Sequence, residues 1–151
     1  MSRKRFDDSD CAVARALDEV GDWWSLRIVL QAMYGTRRFV DFQQQLGIAR
    51  NILCNRLERL VACGVLCKVN VGEHGCRYEY RLTDKGRDLF TVLMALRQWG
   101  EKWTAAASDK PQAVVLDKAS GRPIGPLQVV DADGQPLSVR DVVLAWRQPS
   151  Q

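Results

Sequence analysis

Arg50, Asn51, Asn55 and Arg56 are the residues of this chain best suited by type and spacing to chemistry with another molecule. Arginine donates two hydrogen bonds to the paired acceptors of guanine, and asparagine matches the donor and acceptor of adenine. Such side chains at the N-terminal turns of a helix suit the major groove of DNA. Arg37, Arg38, Arg59, Lys68, Arg77 and Arg81 add cations to the same stretch, whereas acidic residues lean toward positions 7–19 and the tail. The net charge of +4 therefore excludes a non-specific polycation and leaves a local cluster as the nucleic-acid surface. The candidate DNA contacts are Arg38, Arg50, Asn51, Asn55, Arg56 and Arg59, with Lys68, Arg77 and Arg81 placed for phosphates.

Other reactive side chains are sparse. Cys63 and Cys67 are spaced like half of a zinc site, but no matching second pair exists and His74 is the only histidine. No phosphate loop, nucleophile motif or metal constellation occurs, so neither enzyme activity nor a cofactor is expected. Five cysteines, an odd number, argue against a disulfide framework. Cys11 stands at the start of a predicted helix, where the dipole favours a thiolate and reactivity toward oxidants, quinones or aldehydes. Against that, Asp7, Asp8 and Asp10 oppose a thiolate, and most unpaired cysteines are small buried hydrophobes. Cys54 reads as simple packing.

The elements that must position these residues follow from periodicity. Phe39, Phe42 and Leu46 make one apolar face of a short helix that Gly47 stops. After a corner at Gly47 and Ile48, residues 49–63 place Leu53, Leu57, Leu60 and Val61 inside and the Arg and Asn side chains on or near the outside. Residues 65–71 alternate Val65, Cys67, Val69 and Val71 against Leu66, Lys68 and Asn70. Residues 76–83 alternate Tyr78, Tyr80 and Leu82 against Arg77, Glu79 and Arg81, and the turn at 72–75 makes a β-hairpin. The order is helix, turn, helix, wing. A helix pair alone also occurs in proteins that never touch DNA, and a winged-helix protein-interaction module is the alternative function.

The ordered series Cys11-Ala-Val-Ala-Arg-Ala-Leu, Gly21-Asp-Trp-Trp24-Ser-Leu, Arg38-Phe39, Gly47-Ile48, Leu53-Cys-Asn-Arg56-Leu57 and Tyr80-Arg-Leu-Thr-Asp-Lys-Gly86 resembles the HxlR-type bacterial winged-helix regulators, relatives of the MarR type. The resemblance runs from about Cys11 to Trp103. It implies a homodimer on a pseudo-palindromic operator, joined through the first helix and the long helix after the wing, and an N-terminal cysteine used as a sensor in several members. Two departures stand out. Trp23 occupies a position that is commonly basic in the group, and Ala49-Arg50 replaces the Ser-Pro that tends to begin the recognition helix. Alanine cannot cap, so operator sequence does not carry over.

Upstream, residues 1–10 are expected to form a flexible arm. Asp10 is expected to cap a helix carrying Val13, Ala14, Leu17 and Val20 that ends near Gly21, and Asp22 to cap the next, with Leu26, Val29, Leu30 and Met33 as its stripe. Trp23 and Trp24 point about 100° apart, so one leaves the core and the pair is a candidate effector pocket for a small apolar or aromatic molecule. Thr83 to Gly86 caps a long helix whose stripe of Leu89, Leu93, Leu96, Trp99 and Trp103 fits a subunit interface with Val13 and Leu17.

The winged helix-turn-helix and dimerisation domain is thus expected at 11–106, a linker at 107–112, and a small β-rich C-terminal appendage at 113–147. In the appendage, 114–116, Ile124 and 127–130 suggest short strands with turns at Ser120-Gly121 and Asp133-Gly134, and Ser138 with Asp141 opens a final helix through Trp146. Some members of the group have a zinc-ribbon-like tail; here no cysteine follows Cys76, so no metal is expected. No apolar run approaches a bilayer span and residues 1–10 are charged, so neither anchor nor signal peptide is expected and the address is cytoplasmic. The fold class is α+β. The expected partners are double-stranded DNA, a second copy, and a small-molecule or oxidant effector.

Overall fold

The computed structural model describes residues 10–73, 75–104 and 113–145. Along them run α1 (Ala12–Val20), α2 (Trp23–Met33), α3 (Phe39–Leu46), α4 (Arg50–Ala62), β1 (Leu66–Asn70), β2 (Tyr78–Leu82) and α5 (Asp84–Trp103), in the expected α+β order. The arm apart from Asp10, His74, the linker at 107–112 and Trp146 lie outside the described residues. The chain divides into two compact units, Met1–Met94 and Ala95–Gln151.

In the first unit α3 and α4 form the helix-turn-helix. Phe42 and Leu46 are buried, Phe39 is half-buried, and Gly47 ends α3 at φ +61°, a left-handed conformation that only glycine adopts without strain. Ile48 fills the corner, and α4 buries Leu53, Leu57 and Leu60 completely. Removing any of these leucine side chains costs about 2–5 kcal/mol.

Against them packs α2, which also meets α1, α3 and β2. Asp22 caps it as expected, its carboxylate accepting the Ser25 N–H at 2.9 Å. Its buried line is Ser25, Ile28 and Val29, which corrects the expected stripe: Leu26, Leu30 and Met33 are only half-buried. Neighbours on several sides widen the covered arc of α2, and its centre falls one position away from the most apolar line. A smaller correction concerns α1. Its N-cap is Cys11 rather than Asp10, in extended backbone and without a side-chain cap bond.

β1 and β2 pair antiparallel, with Leu66 opposite Leu82, Lys68 opposite Tyr80 and Asn70 opposite Tyr78. Opposed residues share a face. The apolar residues of the two strands therefore do not form one common side, as simple alternation suggests. Lys68 stands among Tyr78 and Tyr80, while Cys67 and Val69 face Arg81 and Glu79 on the other side. The ribbon extends by Val71 N–H to the Arg77 carbonyl, and Tyr80 donates its N–H to the Arg37 carbonyl, which ties the wing to the entry of α3.

A compact joint links wing and last helix. Thr83 Oγ1 accepts the Gly86 N–H at 3.1 Å and donates to the Gly64 carbonyl, with the Val65 carbonyl also 3.1 Å away. A Cβ on residue 86 would stand 2.2 Å from the Val65 oxygen, so only glycine lets the helix backbone approach this closely. α5 then runs for 20 residues, about 30 Å.

The second unit joins the end of α5 to the tail. Gln98 makes a paired contact with the Leu127 backbone, donating to its carbonyl at 3.0 Å and accepting its N–H at 2.8 Å, and Arg97 donates to the Ala113 carbonyl. Instead of the expected strands, the described tail holds two isolated bridges, Leu116 with Pro123 and Val130 with Pro136. Both expected turns are present, with Gly121 and Gly134 at positive φ, and carboxylates hold them. Asp117 accepts from the N–H groups of Ala119 and Ser120, and Asp131 from those of Asp133 and Gln135. Ser138 and Asp141 are hydrogen bonded, yet 142–145 are not helical. The Ser138 hydroxyl donates to Asp141 at 2.6 Å and accepts the Arg140 N–H at 3.3 Å, so the contacts of a cap form as a local turn that no helix continues through 142–145.

Candidate nucleic-acid interface

Helical geometry sends Arg50, Asn51, Cys54, Asn55 and Glu58 to the exposed side of α4, opposite the three buried leucines. Ala49 makes no side-chain cap bond, so the first N–H groups of α4 stay available at the end where Arg50 and Asn51 stand. The Arg50 guanidinium lies over the Phe39 ring, 5.2 Å from its centre, which steadies the long side chain at the mouth of the helix pair.

Between α4 and the wing lies a groove of about 390 Å³ lined by Phe39, Arg50, Cys54, Glu58, Lys68 and Tyr80 among others. Lys68 reaches it from the wing, its ammonium 4.4 Å from the Tyr78 ring centre and 6.0 Å from that of Tyr80. Cation–π contact fixes this charge beside the recognition helix without neutralising it. Arg77 and Arg38 are exposed. Arg81 projects from the opposite face of the ribbon and is bound to Glu79 by two nitrogens, at 3.0 and 3.2 Å, with Arg37 3.9 Å from the same carboxylate.

Two of the arginines expected here turn inward. Arg56 Nε sits 3.0 Å from Asp22 Oδ1, and Arg59 donates to the main-chain carbonyl of Asp18 in α1. The structure thus gathers Arg50, Asn51, Asn55 and Lys68 on one surface, with Arg38 and Arg77 exposed beside the elements that carry them, and sends Arg56 and Arg59 toward the α1–α2 corner.

Cys54 and Glu58 belong to the surface although sequence reasoning assigned Cys54 to packing. Their positions at i+4 and i+8 from Arg50 carried the signal. The Cys54 thiol donates to Glu58 at 3.4 Å, and this bond is the first cause of a thiol pKa above the ordinary value. The Tyr80 phenol is also raised, first by burial and then by the neighbouring Cys54 and Glu58. Tyr78 is raised chiefly through its hydrogen bond with Cys76.

The remaining candidates occupy other surfaces. Cys11 is exposed at the N-cap of α1, and Val13 and Leu17 on the same helix are exposed. On α5, Leu96, Trp99 and Trp103 are exposed and Leu89 is half-buried, whereas Leu93 is buried within the protomer. Trp23 is 77% exposed, so it is the tryptophan that leaves the core. Its ring centre lies 6.2 Å from that of half-buried Trp24. No helix among the described residues is long and apolar enough to cross a membrane.

Comparison with known proteins places this architecture. Residues 19–108 match the family model of the HxlR-like helix-turn-helix. Rv3095 of Mycobacterium tuberculosis (strain ATCC 25618 / H37Rv), an uncharacterized HTH-type transcriptional regulator, is 35% identical over 131 residues, covering 87% of this chain and 82% of its own. Among solved structures, that of PA1607, described as a candidate transcription factor, is similar with a TM-score of 0.86 at 45% identity, over 94% of this chain and 99% of that one. The redox regulator HypR in its reduced form is similar with a TM-score of 0.57 at 27% identity, over 61% of this chain and 92% of its own.

Proposed function

This chain belongs to the HxlR-like helix-turn-helix family and is a transcriptional regulator of that type, and from this premise we propose that it acts as a homodimer on a pseudo-palindromic operator. The observation that carries the reading is the line of Arg50, Asn51 and Asn55 along the exposed N-terminal half of α4, flanked by Lys68 from the wing. In this reading α4 enters the major groove. Arg50, Asn51 and Asn55 meet base edges, and Arg38, Lys68 and Arg77 meet phosphates, while Arg81, also expected at a phosphate, is held by Glu79 on the opposite face of the ribbon and does not. Two copies join through Val13 and Leu17 of α1 and Leu96, Trp99 and Trp103 of α5, which would otherwise leave large apolar side chains in water. Leu93 is already covered and stabilises the protomer instead.

Thiol chemistry at Cys11 is the proposed switch. The thiol is exposed on the helix that carries Val13 and Leu17, and HypR, similar in structure, is described in reduced and oxidised forms. Oxidation or alkylation there would alter the spacing of the two recognition helices and mismatch half-sites one helical turn apart. The exposed Trp23 beside Trp24 supports a second trigger, a small aromatic effector stacked on that pair.

The test begins with selection of a duplex from a random-sequence pool by the reduced protein, followed by anisotropy titrations before and after peroxide. The reading predicts a palindromic consensus and release by peroxide from the wild type but not from Cys11→Ser. Release that persists in Cys11→Ser removes the switch, and failure to enrich any sequence removes the operator.

A further inference from the structure

Arg56 follows Asn55 on α4, but its guanidinium folds back under the helix. Nε is completely buried, and Asp22 Oδ1, 3.0 Å away, is its anionic neighbour. The N–H is off the line to that oxygen, so the contact is an ion pair and not a hydrogen bond. The same Asp22 carboxylate caps α2 through the Ser25 N–H. One turn further along α4, Arg59 donates to the carbonyl of Asp18, a buried residue in the last turn of α1. Both arginines therefore grip the corner between α1 and α2, which is itself tight: a Cβ on Gly21 would stand 2.3 Å from the Leu17 oxygen.

Arg56 also reaches outward. Its Nη1 donates to Asn55 Oδ1 at 2.9 Å. Guanidinium has no acceptor, so the atom of the Asn55 amide that faces it is the oxygen, and the exposed Asn55 presents its NH₂ group away from Arg56. Adenine recognition by asparagine uses the oxygen and the nitrogen together, whereas an outward NH₂ alone donates to guanine O6 or N7, adenine N7 or thymine O4 alike and gives up the two-bond match that singles out adenine.

We propose that Arg56 is a positioning and specificity-determining residue: it clamps α4 to Asp22 and turns the Asn55 amide so that its NH₂ meets a base acceptor without the two-bond match peculiar to adenine. It does not itself contact DNA, and Arg59 supports the same clamp from the end of α1. This rests on the operator-binding reading above and assigns it a polarity at one position.

The experiment compares wild type with Arg56→Met, which keeps an unbranched stem, with Asp22→Asn, which keeps a capping side chain, and with the double variant. Each is checked for a native circular dichroism spectrum and titrated across salt on the selected duplex and a scrambled one. Arg56→Met is expected to weaken the selected duplex about tenfold and the scrambled one less than about twofold, with an unchanged salt slope. Asp22→Asn should act in the same direction, and the double variant should be no worse than the worse single variant. Reselection with Arg56→Met should enrich adenine at the position where the wild type accepts guanine, thymine or adenine alike. A salt slope smaller by about one, or an Asp22→Asn variant that binds like wild type, overturns the proposal and makes Arg56 a DNA contact. Urea unfolding of the same four proteins tests the clamp without DNA. If the wild type selects no duplex, the operator reading fails by itself, and additive midpoint shifts would remove the clamp as well, whereas non-additive shifts retain it.

Discussion

Gly86→Ala would test how the wing is joined to the rest of the molecule. In most helices this exchange stabilises by about 0.5–1 kcal/mol, because alanine loses less backbone freedom. Here the new methyl would stand 2.2 Å from the Val65 oxygen and 3.0 Å from Leu82 Cδ2. Helix and strand must separate by about 1 Å to restore contact distance. That separation strains the bond that the Thr83 hydroxyl's single proton makes to the Gly64 carbonyl, with Val65 beside it, and the Thr83 N–H bond to Val65 at 3.2 Å. Two bonds at about 1 kcal/mol each outweigh the propensity gain and leave a net loss of about 1 kcal/mol. For a chain of this length the midpoint of thermal unfolding then falls by about 2–4 °C. Gly100 in the same helix is the control, since a Cβ there meets nothing closer than Thr104 Oγ1 at 3.9 Å. Gly100→Ala should raise the midpoint by about 1–4 °C. The assay is thermal unfolding followed by circular dichroism for all three proteins. Equal midpoints for the two variants, or a Gly86→Ala protein more stable than wild type, would refute the close-approach argument.

Other consequences follow from the same geometry. Leu57→Ala, which empties a fully buried position in α4, should lower urea-unfolding stability by about 2–5 kcal/mol. Glu58→Ala removes the carboxylate that holds the Cys54 proton, so the Cys54 pKa should fall toward its ordinary value. At a fixed pH near 8 the thiolate fraction then rises, and alkylation of Cys54, followed by peptide mass spectrometry, should accelerate several-fold. No acceleration would show that the Cys54–Glu58 bond does not persist in solution. Trp103→Ala should weaken self-association at least tenfold in sedimentation equilibrium, and an unchanged dimer constant would remove Trp103 from the interface.

The readable parts of this chain were those in which one local rule decides the outcome. Phe42 and Leu46 with a left-handed Gly47, and Leu53, Leu57 and Leu60 at helical spacing, define the helix-turn-helix without reference to anything distant. The run from Thr83 to Gly86 likewise announced the start of α5, although the reason for its glycine, the Val65 carbonyl, lies 21 positions away. What escaped depends on pairing across distance. Alternation marks a strand and its two faces, but the register with the other strand decides which faces coincide, and that register set Lys68 among the tyrosines.

Long side chains escaped for another reason. Arg56 sits beside the exposed side of α4 by position, yet its flexible stem lets the charge turn back to Asp22, so helical phase alone misplaces its chemistry. In the tail, apolar clusters at 114–116 and 127–130 suggested strands, but each contributes only one isolated bridge, and carboxylate-held turns provide the order instead.

The central claim is sequence-selective DNA binding by the exposed face of α4. Its most direct test is fluorescence anisotropy of wild type and Arg50→Ala on the selected and scrambled duplexes across a salt series. Three candidate phosphate contacts per protomer, doubled in a dimer, predict a log–log salt slope of about −5, with the selected duplex bound at least about 10³-fold more tightly than the scrambled one. Arg50→Ala should lose about 1–3 kcal/mol on the selected duplex and little on the scrambled one. Equal affinity for both duplexes, or an Arg50→Ala variant that binds as wild type does, would contradict the account.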